Sequence, residues 1–156
     1  MNKQVKAFNF INLAEKPPKP RNNSVIEIRG PYYYSVTPVY LKSLLETYSE
    51  YIDGFKFAGG SQRLIPKNIV KEFIKLCHDH DVYVSTGGFI ERVIIQGGKA
   101  VDKYLEECKS LGFDVIEVSS GLAKIPLQDQ VEIVKQVRRL GMKDKPEISI
   151  MQGSGA

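Results

Sequence analysis

The chain has 156 residues, of which 42% are hydrophobic and 26% are charged, and these values are typical of one globular domain with a buried core. Its apolar runs fall well short of the ~20 residues that a membrane-spanning helix needs, so the composition excludes a membrane protein. The formal net charge is +4, and residues 1–21 account for all of it, so the neutral remainder is not expected to bind nucleic acid.

The N-terminal residues 1–23 are predicted to form a basic arm. The prolines between Lys16 and Arg21 disfavour helix at their own positions and at the positions before them, so this stretch is expected to be extended. Residues 24–156 are predicted to form the folded domain. Its two cysteines, Cys77 and Cys108, lie inside predicted helices, which favours free thiols in a reducing, cytoplasmic setting.

Five short apolar runs that end close to a glycine are predicted to be strands. They cover residues 25–29, 52–57, 82–85, 115–119 and 147–151. The runs recur about every 30 residues, which is the length of one strand–helix unit. Segments of helical periodicity lie between them and predict helices that begin at Thr37-Pro38 and at Pro66 and that cover residues 99–111 and 127–140. The last of these is expected to turn Val131, Val134 and Val137 inward.

Strands that are joined by helices lie parallel, so the predicted fold class is α/β. The unit length is typical of a (β/α)8 TIM barrel, which usually needs ~250 residues, and this sequence stops after its fifth strand. We therefore expect a barrel of this type that is truncated after the fifth strand and lacks the fifth helix. A complete, open five-stranded sheet is the alternative.

Charged side chains alternate with apolar ones along the predicted strands. Glu27, Arg29, Lys56 and Glu117 occupy such positions, and their strand ends are followed by glycine-containing loops. Because side chains alternate between the two faces of a strand, these charges are expected to share the barrel interior. Lys56 is the predicted catalytic residue. The alternative is a structural network that pairs Lys56 with Glu117 and Arg29 with Glu27.

The loops after the second, third and fourth strands are predicted to bind an anion through N–H groups and hydroxyls. The candidate residues are Arg29, Gly59, Gly60, Ser61, Thr86, Gly87, Gly88, Ser119 and Ser120. Glu27 and Glu91 are candidate Mg²⁺ ligands, since Mg²⁺ takes a few carboxylates together with substrate oxygens. Glu91 has the alternative role of capping a helix.

Four segments carry a family resemblance, namely residues 19–21, 51–61, 87–91 and 104–121. With them the chain resembles the phosphosulfolactate synthase family, whose members add sulfite to phosphoenolpyruvate in a Mg²⁺-dependent (β/α)8 barrel. Residues 26–33 and 84–88 are similar to the eukaryotic branch, which includes the plant heat-stress-associated proteins.

The resemblance implies a carbon–sulfur lyase with Mg²⁺ as cofactor and with phosphoenolpyruvate and sulfite as small anionic substrates. It implies that Lys56 is a general acid or anion ligand and that Glu117 is a catalytic residue that partners either Mg²⁺ or the lysine. It also implies that the glycine loops with Ser61 receive phosphate or sulfite oxygens. The alternative is a non-catalytic family member that acts through protein contacts in stress tolerance. In either case the exposed strand edges of a partial barrel favour self-association.

Overall fold

The computed structural model describes residues 6–12, 15–31, 36–121 and 123–147. These residues form a parallel sheet of five strands in the order β1-β2-β3-β4-β5. The strands are β1 (Glu27–Arg29), β2 (Gly54–Lys56), β3 (Tyr83–Ser85), β4 (Val115–Ser119) and β5 (Lys143–Glu147). The sequential order confirms the predicted α/β class, and the sheet is consistent with a partial TIM-barrel-like fold.

Helices connect the successive strands. They are α1 (Pro38–Tyr48), α2 (Lys67–His78), α3 (Ile90–Ile94), α4 (Gly98–Leu111) and α5 (Leu127–Arg139). Short 3-10 turns cover Ser49–Tyr51, Ala58–Leu64 and Gly87–Phe89. The predicted start of α1 is confirmed, because the Thr37 side chain accepts a hydrogen bond from the Tyr40 N–H at 3.2 Å. The short helix α3 was not predicted, because five residues are too few to show a helical period.

The apolar face of the sheet packs against the helices. Phe55 of β2 and Phe57, just after the strand, form an aromatic cluster with Phe73 of α2 and with Phe113, with ring centroids 5.2–5.9 Å apart. Such aromatic pairs add to the stabilisation that comes from burying apolar area. This layer fixes the strands and turns their other face away from the helices.

The inward face of α5 differs from the prediction. Ile133 and Val137 are buried, whereas Val131 is 44% exposed, so the prediction for Val131 was wrong. Gln130 takes an inward position because its amide donates to the Ile125 carbonyl at 3.2 Å, which satisfies a buried polar group. The buried face of α5 therefore includes Gln130 in place of Val131, because Gln130 has a local hydrogen-bond partner.

The fifth strand begins at Lys143, before its predicted start at Glu147, and residues 148–151 of that prediction lie outside the described residues. Its register is set by β4, with Val115 opposite Lys143 and Ser119 opposite Glu147. The segment carries four charged residues and Pro146, so it has no apolar signal that marks a strand. Pairing with a buried neighbour, rather than its own propensity, makes it a strand.

The sheet is strongly curved. Its edge strands β1 and β5 would lie about 19 Å apart in a flat sheet, because neighbouring strands are ~4.8 Å apart. Lys145 Nζ of β5 nevertheless lies 2.8 Å from Glu27 Oε1 of β1. The concave face is therefore the face that carries the alternating charged residues.

None of the helices among the described residues combines the length and the apolar character that crossing a bilayer requires.

Candidate functional site

Two lysines and two glutamates from four different strands meet on the concave face. Lys56 of β2 forms an ion pair with Glu117 Oε2 of β4. Lys145 Nζ of β5 lies 3.6 Å from the same oxygen and 2.8 Å from Glu27 Oε1. The alternation of side chains places all four residues on this face, and the curvature brings them into contact. The Lys56–Glu117 ion pair that the sequence predicted is confirmed, while its catalytic role stays a prediction.

Glu117 is the most deeply buried of the four charged residues, with only 2% of its surface exposed. Burial raises the pKa of its carboxyl group, and the hydrogen bond and charge of Lys56 oppose that rise. Burial lowers the pKa of Lys145, but its hydrogen bond to Glu27 and the nearby carboxylates outweigh that effect and raise the pKa overall. The site therefore combines charged groups whose ionisation depends on one another.

The glycines of the loop after β3 lie against the Lys56–Glu117 ion pair. A Cβ at Gly87 would lie 2.4 Å from the Phe57 carbonyl oxygen and 3.4 Å from Lys56 Cε, and Gly87 has a φ of +60°. A Cβ at Gly88 would lie 2.8 Å from Ser119 Oγ and 3.5 Å from Glu117 Oε1. The two glycines thus allow the loop to approach the charged side chains closely. Their predicted role in anion binding is a separate matter and stays a prediction.

The loop after β2 packs against the loop after β3. Gly59 and Gly60 have φ values of +60° and +77°, and a Cβ at Gly60 would lie 2.2 Å from the Phe89 ring. Gln62 donates its side-chain amide to the Thr86 carbonyl at 3.3 Å. The Ser61 hydroxyl is buried and has no hydrogen-bond partner among the described residues, so it has the free capacity that its predicted role requires.

Glu91 binds the loop that follows β4. Its carboxylate accepts hydrogen bonds from Ser119 Oγ at 2.6 Å and from the N–H groups of Gly121 at 3.1 Å and Ala123 at 2.8 Å. These donors are of the kind that binds a free anion, and Glu91 supplies that anion from within the chain. The structure therefore gives Glu91 a positioning role that the sequence alone did not indicate.

Three of the carboxylates on this side of the sheet are already paired. Glu27 contacts Lys145, Glu117 contacts Lys56 and Lys145, and Glu91 contacts N–H and O–H donors. No three His, Cys, Asp or Glu side chains within the described ranges form a group that could hold a metal ion. Glu27 and Glu91 are thus engaged by other groups of the chain, and the prediction that they bind Mg²⁺ stays a prediction.

The remaining predicted residues lie at the same end of the sheet in different surroundings. Thr86 is buried, and its hydroxyl accepts from the Glu117 N–H at 3.2 Å. Ser120 donates its N–H to the Glu147 carbonyl at 3.2 Å. Arg29 is exposed at the end of β1. The suggested pairing of Arg29 with Glu27 was wrong, because Glu27 pairs with Lys145.

Sequence reasoning missed Lys145, whereas it included Ser85 in the anion-binding loop after the third strand. Lys145 was missed because the predicted fifth strand began after it, although Lys143, Lys145 and Glu147 show the strand period of two. Ser85 of β3 lies opposite Lys56 in the register, is fully buried, and has no hydrogen-bond partner for its hydroxyl among the described residues. An alternating charged pattern without apolar residues was the available signal for Lys145.

Comparisons with known proteins show the family to which these features belong. A family model described as (2R)-phospho-3-sulfolactate synthase (ComA) matches residues 14–155. The chain is 39% identical over 141 residues to Protein HEAT-STRESS-ASSOCIATED 32 of Arabidopsis thaliana, a match that covers 90% of this chain and 49% of that protein.

Archaeal proteins are similar to it as well. The chain is 31% identical over 111 residues to the phosphosulfolactate synthase of Methanocaldococcus jannaschii, which covers 71% of this chain and 44% of that protein. It is 28% identical over 134 residues to the phosphosulfolactate synthase of Methanothermobacter thermautotrophicus, with coverages of 84% and 49%. The chain spans about half the length of the curated relatives it matches.

Proposed function

The chain belongs to the (2R)-phospho-3-sulfolactate synthase (ComA) family, and we propose that its concave face serves the addition of sulfite to phosphoenolpyruvate. One observation carries the proposal: the buried Lys56–Glu117 ion pair lies between glycine-containing loops at the carboxyl end of the parallel strands. Active sites of α/β folds with parallel sheets lie at this end.

The architecture that we propose for this activity is a partial (β/α)8 barrel over residues 24–156, preceded by the basic arm of residues 1–23. The curved sheet supports this proposal, because the side chains of its two edge strands already meet across the concave face. A cytoplasmic setting is part of the proposal, and the free, buried thiols of Cys77 and Cys108 support it.

In the proposed reaction, the side chains of the site supply the proton and hold its donor in place. The sulfur of sulfite forms a bond to the methylene carbon of phosphoenolpyruvate while the carbon–carbon π bond breaks. The electron pair moves to the adjacent carbon and its carboxylate, and a proton from the Lys56 ammonium group then completes the addition at that carbon. Glu117 holds this ammonium group in place. Mg²⁺ enters the proposal through the family resemblance alone.

Isothermal titration with phosphoenolpyruvate, with and without Mg²⁺, tests the proposal on the wild type and on Lys56→Ala. Lys135→Ala, an exposed lysine on α5, is the matched control. We expect binding to be lost in Lys56→Ala and kept in the control, and we expect the wild type to form phosphosulfolactate when sulfite is added. A folded wild type that binds no phosphoenolpyruvate and forms no product would contradict the proposal.

A second candidate is a non-catalytic family member that acts through protein contacts, with a role in stress tolerance. The observation that favours it is that the concave-face charges pair with one another, Lys56 with Glu117 and Lys145 with Glu27. The plant relative named for heat stress also matches most of this chain. This candidate predicts that neither phosphoenolpyruvate nor sulfite changes the thermal unfolding temperature of the folded protein.

A further inference from the structure

Two ammonium groups converge on one carboxylate oxygen. Both Lys56 and Lys145 contact Glu117 Oε2, the first directly and the second at 3.6 Å. The two lysines come from strands that are not neighbours, so the curvature of the sheet is what brings their charges together. Like charges at this separation repel, and the carboxylates of Glu117 and Glu27 offset that repulsion.

Both lysines keep donor capacity for a ligand. An ammonium group has three N–H donors, and the described contacts use one donor of Lys56 and at most two of Lys145. The Lys145 side chain is 41% exposed, so its ammonium group is open to small molecules. The contact with Glu117 is the longer of its two ion pairs and the easier one to replace.

A buried hydroxyl lies beside Lys56, one of these two lysines. Ser85 is next to Lys56 across the β2–β3 ladder, is fully buried, and lacks a hydrogen-bond partner among the described residues. An unpaired buried polar group costs free energy, and a catalytic role or a bound water or ion is among the explanations for such a group in a native protein. This observation is independent of the two ion pairs and points to the same part of the concave face.

We propose that Lys145 and Lys56 together form the binding site for a small organic dianion that carries a carboxylate and a phosphate on one short carbon skeleton. Each lysine contacts one of the two negatively charged groups, and the ligand replaces the contact between Lys145 and Glu117. The Lys145–Glu27 pair keeps the lysine in position. This inference rests on the proposed function, because it places the substrate at the same site.

Titration with phosphoenolpyruvate tests the role of Lys145 with three variants. Lys145→Gln removes the charge, Lys145→Arg keeps it, and Lys143→Gln is the control from the same strand, since Lys143 is exposed and forms no salt bridge with any described residue. A lost charge-assisted hydrogen bond corresponds to a loss of affinity of about tenfold or more. We expect that loss for Lys145→Gln, a much smaller one for Lys145→Arg, and none for Lys143→Gln.

A second measurement needs no variant. Acetylation of lysines in the wild type, read by mass spectrometry of its peptides, is expected to slow at Lys145 when phosphoenolpyruvate is bound and to stay unchanged at Lys143. This readout separates ligand contact from a purely structural role, because loss of the Glu27 pair cannot influence it.

The outcomes distinguish this inference from the proposed function. Binding that needs Lys56 but not Lys145, with no protection of Lys145, would overturn the inference and leave the proposed function standing. Binding that needs both lysines without any phosphosulfolactate formation would support the inference and overturn the proposed reaction. A folded wild type that binds no phosphoenolpyruvate would overturn the inference as well.

Discussion

At the scale of single residues, Glu117 is the centre of the charge arrangement, because its carboxylate balances two ammonium groups. Removing one partner of a buried ion pair leaves an uncompensated charge, which commonly costs about 3–5 kcal/mol. Which partner is removed should matter here. Lys145 remains beside Glu117 when Lys56 is lost, whereas no other carboxylate replaces Glu117 at Lys56 among the described contacts.

We therefore expect Glu117→Gln to lower the free energy of unfolding by about 3 kcal/mol or more, and Lys56→Met to lower it by a smaller amount. Urea unfolding followed by circular dichroism measures both changes. The double variant Lys56→Met/Glu117→Gln should be less unstable than the sum of the single variants. Equal losses in the two single variants would show that Glu117 is not shared, and simple additivity would show that Lys56 and Glu117 do not interact.

Glu91 supports a second prediction at the residue scale, because its carboxylate satisfies backbone N–H groups of the loop after β4. Glu91→Ala should lower the free energy of unfolding by about 1–3 kcal/mol, because the buried Ser119 hydroxyl and two partly buried N–H groups lose their acceptor. Added formate should restore part of that loss by binding to the same donors. A Glu91→Ala variant as stable as the wild type would contradict the positioning role.

At the scale of elements, the basic arm binds to the sheet near the amino ends of β1 and β2. Arg21 donates to Asp53 Oδ1 at 2.7 Å and to the carbonyls of Pro17 and Glu50. The Arg21 and Asp53 side chains are only 4% and 6% exposed. Asp53 also accepts the Ile26 N–H at 2.9 Å, so this ion pair joins the arm to the entry of β1.

Arg21→Ala should lower the free energy of unfolding by about 3–5 kcal/mol, since it leaves the Asp53 carboxylate buried without its cation. The control is Lys6→Ala, which removes an exposed ion pair of the same arm with Glu50. Exposed pairs contribute about 0–1 kcal/mol, so the control should change stability little. If the two variants lost equal stability in urea unfolding, the arm would not depend on the buried pair.

At the scale of the whole molecule, the two edges of the described sheet differ in character. The β5 edge carries Lys143, Lys145 and Pro146, which are residues that discourage pairing with another strand. The β1 edge instead borders an apolar groove of about 430 Å³ beside α1, lined by residues that include Ile28, Tyr40 and Leu44. The proposed self-association is therefore expected to use the β1 side.

Sedimentation of the wild type should show association that increases with protein concentration, because the groove exposes apolar area to water. Tyr40→Lys should weaken this association without unfolding the domain, as Tyr40 is 49% exposed in the groove. Leu64→Lys, at an exposed position outside the groove, is the control and should associate like the wild type. A wild type that stays monomeric at all concentrations would contradict the prediction.

The sequence by itself determined the order of the elements and located most of them, but it missed α3 and misplaced the start of β5. Helical periodicity and the Thr37 cap located α1, and the alternation along two strands placed Lys56 and Glu117 on one face. These signals are local, because a helix cap or a strand face depends on residues only a few positions apart. For the same reason, β4 was located correctly from its own apolar residues.

Only the tertiary structure decided which charges meet. Lys145 and Glu27 are 118 positions apart, and their contact depends on how far the whole sheet curves. The donors that bind the Glu91 carboxylate lie in a loop about 30 positions away, and only the path of that loop brings them to Glu91. The polar strand β5 exists because β4 offers it a hydrogen-bonding edge. Local patterns specify faces, whereas curvature and register, which arise from packing between distant segments, specify partners.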